Sequence, residues 1–159
     1  AEEIWKTLPE SVRAESKADS VHMAMFPEVD PRWADPKLAQ RWEQLLEVRV
    51  AAQAALEVKR RDKVIGAPLE ARVTIEANTD RYEFLKQYVQ DLAGFFIVSD
   101  VELTLVHHLP LSPDFAITVE KATGTKCERC WNYTTDVNRD DRYPGACARC
   151  AANVELIRA

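Results

Sequence analysis

From Asp35 onward, Leu38, Trp42, Leu45, Ala52 and Leu56 recur at spacings of three and four or their multiples, the period of one helix face. Asp35 is an N-cap residue and Pro36 suits the first helical position. The pattern predicts a helix ending near Gly66, about 28 residues and roughly 40 Å long. After Pro68 the period changes to two: Leu69, Ala71, Val73 and Ile75 alternate with Glu70, Arg72, Thr74 and Glu76, as in a half-buried strand. Asn78 or Thr79 caps a second helix in which Tyr82, Leu85, Val89 and Leu92 share a face and which Gly94 ends. The apolar, β-branched FFIVSDVELTLV predicts a strand or a kinked strand, and FAITVEKA another. Upstream, AEEIWKTLPE reads as the last turns of a helix, and ESKADSVHMAMFPEVDP as an extended connector. Strand, helix, strand, strand beside a long helix is an α+β arrangement.

Composition narrows the function. Apolar residues make up 47% of the 159-residue chain, ample for a core. A net charge of −5 argues against coating nucleic acid or anionic membrane through a bulk field, so nucleic-acid contact requires a local basic patch. The apolar runs are too short to cross a bilayer, and the N-terminus has no secretory pattern. The expected setting is the cytoplasm, without a membrane partner.

All four cysteines fall in KCERCWNYTTDVNRDDRYPGACARC. Cys127, Cys130, Cys147 and Cys150 form two Cys-x-x-Cys pairs separated by sixteen residues, the spacing of a structural zinc site. Each pair makes a tight turn that offers two sulfurs to one ion, and two turns close a tetrahedron. Asn132, Asn138, Asp140, Asp141, Pro144 and Gly145 let the intervening chain go out and return as a hairpin. One structural Zn2+ then replaces a hydrophobic core in a tail poor in large aliphatics. A redox dithiol needs a lowered thiol pKa at a βα junction, which neither pair occupies. A catalytic zinc needs an open position, which four thiolates do not leave. The fold expected is α+β: a long helix, a small strand/helix module, and a C-terminal four-cysteine zinc-ribbon-like hairpin.

Four stretches together resemble the C-terminal end of the bacterial isoleucyl-tRNA synthetase family: EEIW-K-LP with SVHMAMFPE, KRRDKVIGAPLEARV, FFIVSDVEL, and KCERCWNY with CARC. The zinc ends of some DNA glycosylases look similar to the cysteine segment, but those enzymes need an N-terminal proline and this chain begins Ala1-Glu2. The resemblance implies a parent class I ligase that uses ATP and Mg2+, in a catalytic domain upstream, to join isoleucine to its tRNA. The chain has no His-Ile-Gly-His, Lys-Met-Ser-Lys-Ser or Gly-rich phosphate loop, so it contributes no catalytic residue and should be inactive alone. Under this resemblance, residues 1–34 are the end of the helical anticodon-binding domain with a connector, 35–66 a junction helix, 67–120 a small α+β module, and 121–159 the zinc module.

The implied partners are the anticodon arm of tRNA and the upstream domains of the same chain, in a monomer. Lys59, Arg60, Arg61 and Lys63 crowd one end of the long helix, and Lys126, Arg139 and Arg142 lie in the zinc module. Such cations position RNA through its phosphates; the competing account is a solvated helix end favoured by the dipole. Arg129 and Arg149, inside the Cys-x-x-Cys pairs, are placed to offset the thiolates. Trp131 is expected to lid the zinc core; exposed, it and Tyr133 would stack on bases. Two rival accounts stand beside RNA binding: a zinc-stapled clamp without RNA contact, and an independent zinc-dependent nucleic-acid-binding module. His107 and His108 adjoin a strand and have no companion ligand at useful spacing.

Overall fold

The computed structural model describes residues 1–26, 28–107, 109 and 114–158, the side chain of residue 158 excepted; His108 lies outside this set. The chain divides into two units, residues 1–39 and 40–159. The first holds two short helices, α1 (Glu2–Thr7) and α2 (Glu10–Ser16), and a 3-10 turn at Pro31–Trp33. Pro9, which has no N–H to continue a helix, stands between α1 and α2. Glu2 accepts a hydrogen bond from Ser20 at 2.8 Å within this unit. The connector expected from residue 15 therefore begins with the last residues of a helix and continues through turns.

The long helix is α3 (Pro36–Arg61). Asp35 caps it as expected, accepting the Leu38 N–H at 3.0 Å. Leu45, Val48, Ala52 and Leu56 carry the buried stripe, whereas Leu38 and Trp42 are nearly half exposed. The helix stops five residues short of Gly66 because Lys63 turns left-handed at φ 60° and the Val64 N–H reaches back to the Lys59 carbonyl. This turn delivers Ile65, 3% exposed, into the core.

The core of residues 40–159 is a three-stranded sheet ordered β2 (Asp100–Leu105), β1 (Ala71–Ala77), β3 (Phe115–Lys121). β1 runs parallel to β2 and antiparallel to β3. The predicted alternation holds: Ala71, Val73, Ile75 and Ala77 are wholly buried and join the α3 stripe in one cluster. On the opposite face, Arg72 pairs with Asp100 and Glu102 of β2 at 3.2 and 2.5 Å. The expected single helix between β1 and β2 is two, α4 (Thr79–Lys86) and α5 (Val89–Phe96). Asn78 caps α4 by accepting the Arg81 N–H at 2.9 Å. Arg81 in turn reaches Glu47 of α3 at 2.8 Å and lies over the Phe115 ring. Gly94 sits within α5, and the terminator is Ile97 at φ 62°. Here burial of Val98, 2% exposed, overrides the cost of a left-handed β-branched residue.

Candidate metal centre and nucleic-acid interface

The four-cysteine segment folds as two knuckles, a small ribbon and a helix. β4 (Thr125–Lys126) pairs antiparallel with β5 (Tyr133–Thr134), bringing Lys126 opposite Tyr133. Between them the first knuckle closes through backbone bonds from Trp131 N–H to the Cys127 carbonyl at 2.8 Å and from Cys127 N–H to the Asn132 carbonyl at 2.9 Å. The Glu128 N–H bonds the Gly145 carbonyl at 2.9 Å, joining the two knuckles. The loop between them is held by Asn138, which accepts the Gly145 N–H at 2.6 Å. The second knuckle runs into α6 (Ala148–Arg158). The cysteine spacing predicts a hairpin and no helix here, although AANVELIR is rich in helix formers.

One ligand atom from each of Cys127, Cys130, Cys147 and Cys150 lies within 4.8 Å of every other. The Cys130 and Cys147 sulfurs are 3.8 Å apart, matching the edge of about 3.8 Å in a tetrahedron whose Zn–S distance is about 2.3 Å. Cys127, Cys147 and Cys150 are buried. Cys127 accepts the Cys147 N–H at 3.3 Å. Burial opposes ionisation of Cys127, but N–H groups of Cys130, Cys147 and Arg129, with the Cys130 thiol, bring its pKa down to about 6. Burial pushes Cys147 the other way, up to about 12. The sulfurs of Cys130 first, then of Cys147 and Cys150, lie near the Arg149 guanidinium and raise its pKa by favouring its charged form. A soft, closed, all-sulfur set with a guanidinium against it suits zinc in a structural role.

Gly124 makes the ribbon possible. Its φ is +94°, and a Cβ there would sit 2.4 Å from the Thr134 carbonyl carbon and oxygen. Left-handed strain alone costs about 1–2 kcal/mol. Gly124→Ala is therefore expected to weaken zinc retention by about thirtyfold, the equivalent of roughly 2 kcal/mol, read by competition against a chelator.

The cations singled out in the sequence fall in two places. At the end of α3, Arg60 is paired with Glu57 at 2.8 Å and Arg61 lies 3.8 Å from Asp62; the remaining two are lysines, Lys59 half-buried and Lys63 exposed. In the zinc module, Arg142 is bound by Asp140 and Glu155, which hold its pKa above the usual arginine value, and Arg139 is exposed. Lys126 is exposed, with its Nζ 5.7 Å from the centre of the Trp131 ring. Trp131 does not lid the metal core. It is 60% exposed because its φ of 66° turns the chain out of the knuckle after Cys130. The cysteines, with Val137 and Ala146, fill the interior without it.

Residues 124–153 match the zinc finger family found in FPG and IleRS. The whole chain is similar to isoleucine–tRNA ligases: 42% identical over 157 residues to that of Syntrophotalea carbinolica, covering 96% of this chain and 16% of the relative. The ligase of Geobacter sulfurreducens is 39% identical over 160 residues, 98% of the chain and 17% of the relative. That of Carboxydothermus hydrogenoformans is 37% identical over 163 residues, 99% of the chain and 17% of the relative. The chain thus spans about one sixth of the length of these relatives. With a four-sulfur cluster in the segment that matches the zinc finger and similarity running along nearly all the rest, the chain belongs, as a zinc-finger-bearing segment, to the isoleucine–tRNA ligase family.

Proposed function

We propose that this segment is the C-terminal tRNA-recognition region of an isoleucine–tRNA ligase, in which Cys127, Cys130, Cys147 and Cys150 hold one structural Zn2+. The parent enzyme attaches isoleucine to its tRNA with ATP and Mg2+ in a separate catalytic domain. The segment itself performs no bond chemistry. Its contribution is positional: it grips the anticodon arm so that the acceptor end arrives in register at the distant active site. Zinc supplies the free energy that orders the tail and shapes its RNA-facing surface.

The observation that carries this reading is the Trp131 ring, 60% exposed at the end of the first knuckle with a lysine ammonium 5.7 Å from its centre. An exposed aromatic face stacks on an unpaired base, and the adjacent cation meets the phosphate beside it. Stacking of one base is worth about 1–3 kcal/mol. Trp131→Ala is accordingly expected to weaken tRNA binding by the ligase roughly 5- to 150-fold with zinc content unchanged. Lys126→Glu should flatten the dependence of affinity on salt. A tRNA affinity untouched by both changes in zinc-replete protein would favour the second reading, a clamp that stabilises the synthetase. The internal pairing of Arg142 with Asp140 and Glu155 favours that structural role for Arg142 in particular.

A further inference from the structure

Ser99 stands where β2 begins and faces two modules at once. Its N–H bonds the Ala71 carbonyl at 3.1 Å, fastening it to the central strand. Its hydroxyl donates to the Leu69 carbonyl at 2.5 Å and accepts the backbone N–H of Tyr133 at 2.7 Å. Tyr133 lies on β5, two residues beyond Trp131. The hydroxyl therefore bridges the leading end of the sheet to the zinc ribbon.

The surroundings leave little else to set that angle. A polar cleft of about 250 Å³, bordered by Ser99, Ala122, Thr123 and Tyr133, opens beside the bond. Among the described residues no ion pair joins the sheet module to residues 124–158. The covalent link is short. Ala122 is anchored by its N–H on the Glu70 carbonyl at 2.7 Å, and Gly124 is locked against Thr134, so the pivot between them is Thr123. Ser99 is itself held in place: the left-handed Ile97 and the buried Val98 immediately before it set the path of the backbone.

We infer that Ser99 is a positioning residue whose hydroxyl fixes the orientation of the zinc module on the sheet, and with it the direction in which Trp131 and Lys126 face. The consequence for RNA rests on the function proposed above; the orientation itself does not. Ser99→Ala deletes the acceptor of the Tyr133 N–H, and Ser99→Thr keeps it. In the zinc-loaded 159-residue chain, Ser99→Ala is expected to speed hydrogen exchange at the Tyr133 amide about fivefold, the factor that a hydrogen bond of about 1 kcal/mol represents. Residual dipolar couplings of the two modules are expected to fit one alignment tensor in the parent chain and to require two in Ser99→Ala. Ser99→Thr should restore a single tensor, and zinc content should stay at one equivalent throughout. A single tensor with unchanged Tyr133 exchange in Ser99→Ala overturns the inference, as does equal uncoupling by Ala and Thr. No RNA enters these measurements, so their failure is separate from failure of tRNA binding.

Discussion

Cys127→Ser is expected to release zinc and unfold residues 124–153 while leaving the sheet module folded. Cys127 is wholly buried and accepts N–H groups from the second knuckle as well as the first. Serine preserves the shape but supplies a hydroxyl that does not ionise and binds zinc poorly. Free energies of about 10–16 kcal/mol accompany structural zinc binding in small zinc folds, against which, among the described residues, Val137 and Ala146 are the apolar neighbours packed on the cysteine cluster. The sheet core is a separate cluster built from α3, α4, α5 and the three strands. Elemental analysis should give less than half an equivalent of zinc, and backbone NMR should show collapsed shifts for the tail beside dispersed shifts for residues 71–105. A Cys127→Ser protein that keeps one equivalent and a dispersed tail would sink the assignment of the metal as the tail's organiser.

The other large effect belongs to the sheet. Ile75 is 0% exposed at the centre of the middle strand, opposite Leu103 on one side and Ile117 on the other. Ile75→Ala leaves a cavity bounded on both flanks by paired strands, which limits collapse around it. The expected loss is about 2–5 kcal/mol, a large share of the 5–15 kcal/mol typical of a domain. Urea denaturation followed by far-UV dichroism should show the midpoint falling with the slope unchanged. Val58→Ala, at a 43% exposed position of α3, serves as the control and should move stability by less than about 0.5 kcal/mol. A shift below about 1 kcal/mol for Ile75→Ala would mean that the sheet is not the stabilising core. Zinc content should be the same in both variants, since the two clusters do not share residues.

Local chemistry was legible wherever a residue's neighbours in sequence determine its role. Asp35 and Asn78 cap their helices through atoms three residues on. The alternation from Ala71 to Ala77 needs nothing beyond the pleat. The Cys-x-x-Cys spacing carries its own turn. Structure departs from the local signal where a distant contact outweighs it. Gly94 reads as a helix stop, yet Ile97 takes that place because Val98 must reach the core. Trp131 reads as a lid for a module with little to bury, yet the sulfurs and two small apolar neighbours suffice. The α6 helix is not legible in the sequence because its apolar period is weak and its first turn carries Cys150, a residue of the cysteine pair.

By itself the sequence determined the class of fold, the metal-ligand spacing of the four cysteines and the family to which they point, because each depends on residue type and short spacing. Tertiary structure alone decided which cations are bound up in ion pairs, that Trp131 faces solvent beside Lys126, and that Ser99 bridges strand and ribbon across 34 residues. Those properties depend on how surfaces meet after the chain has folded back. A hydrogen bond or an exposed ring is a statement about separation in space, which residue order constrains only once loops have closed and the buried faces have found one another.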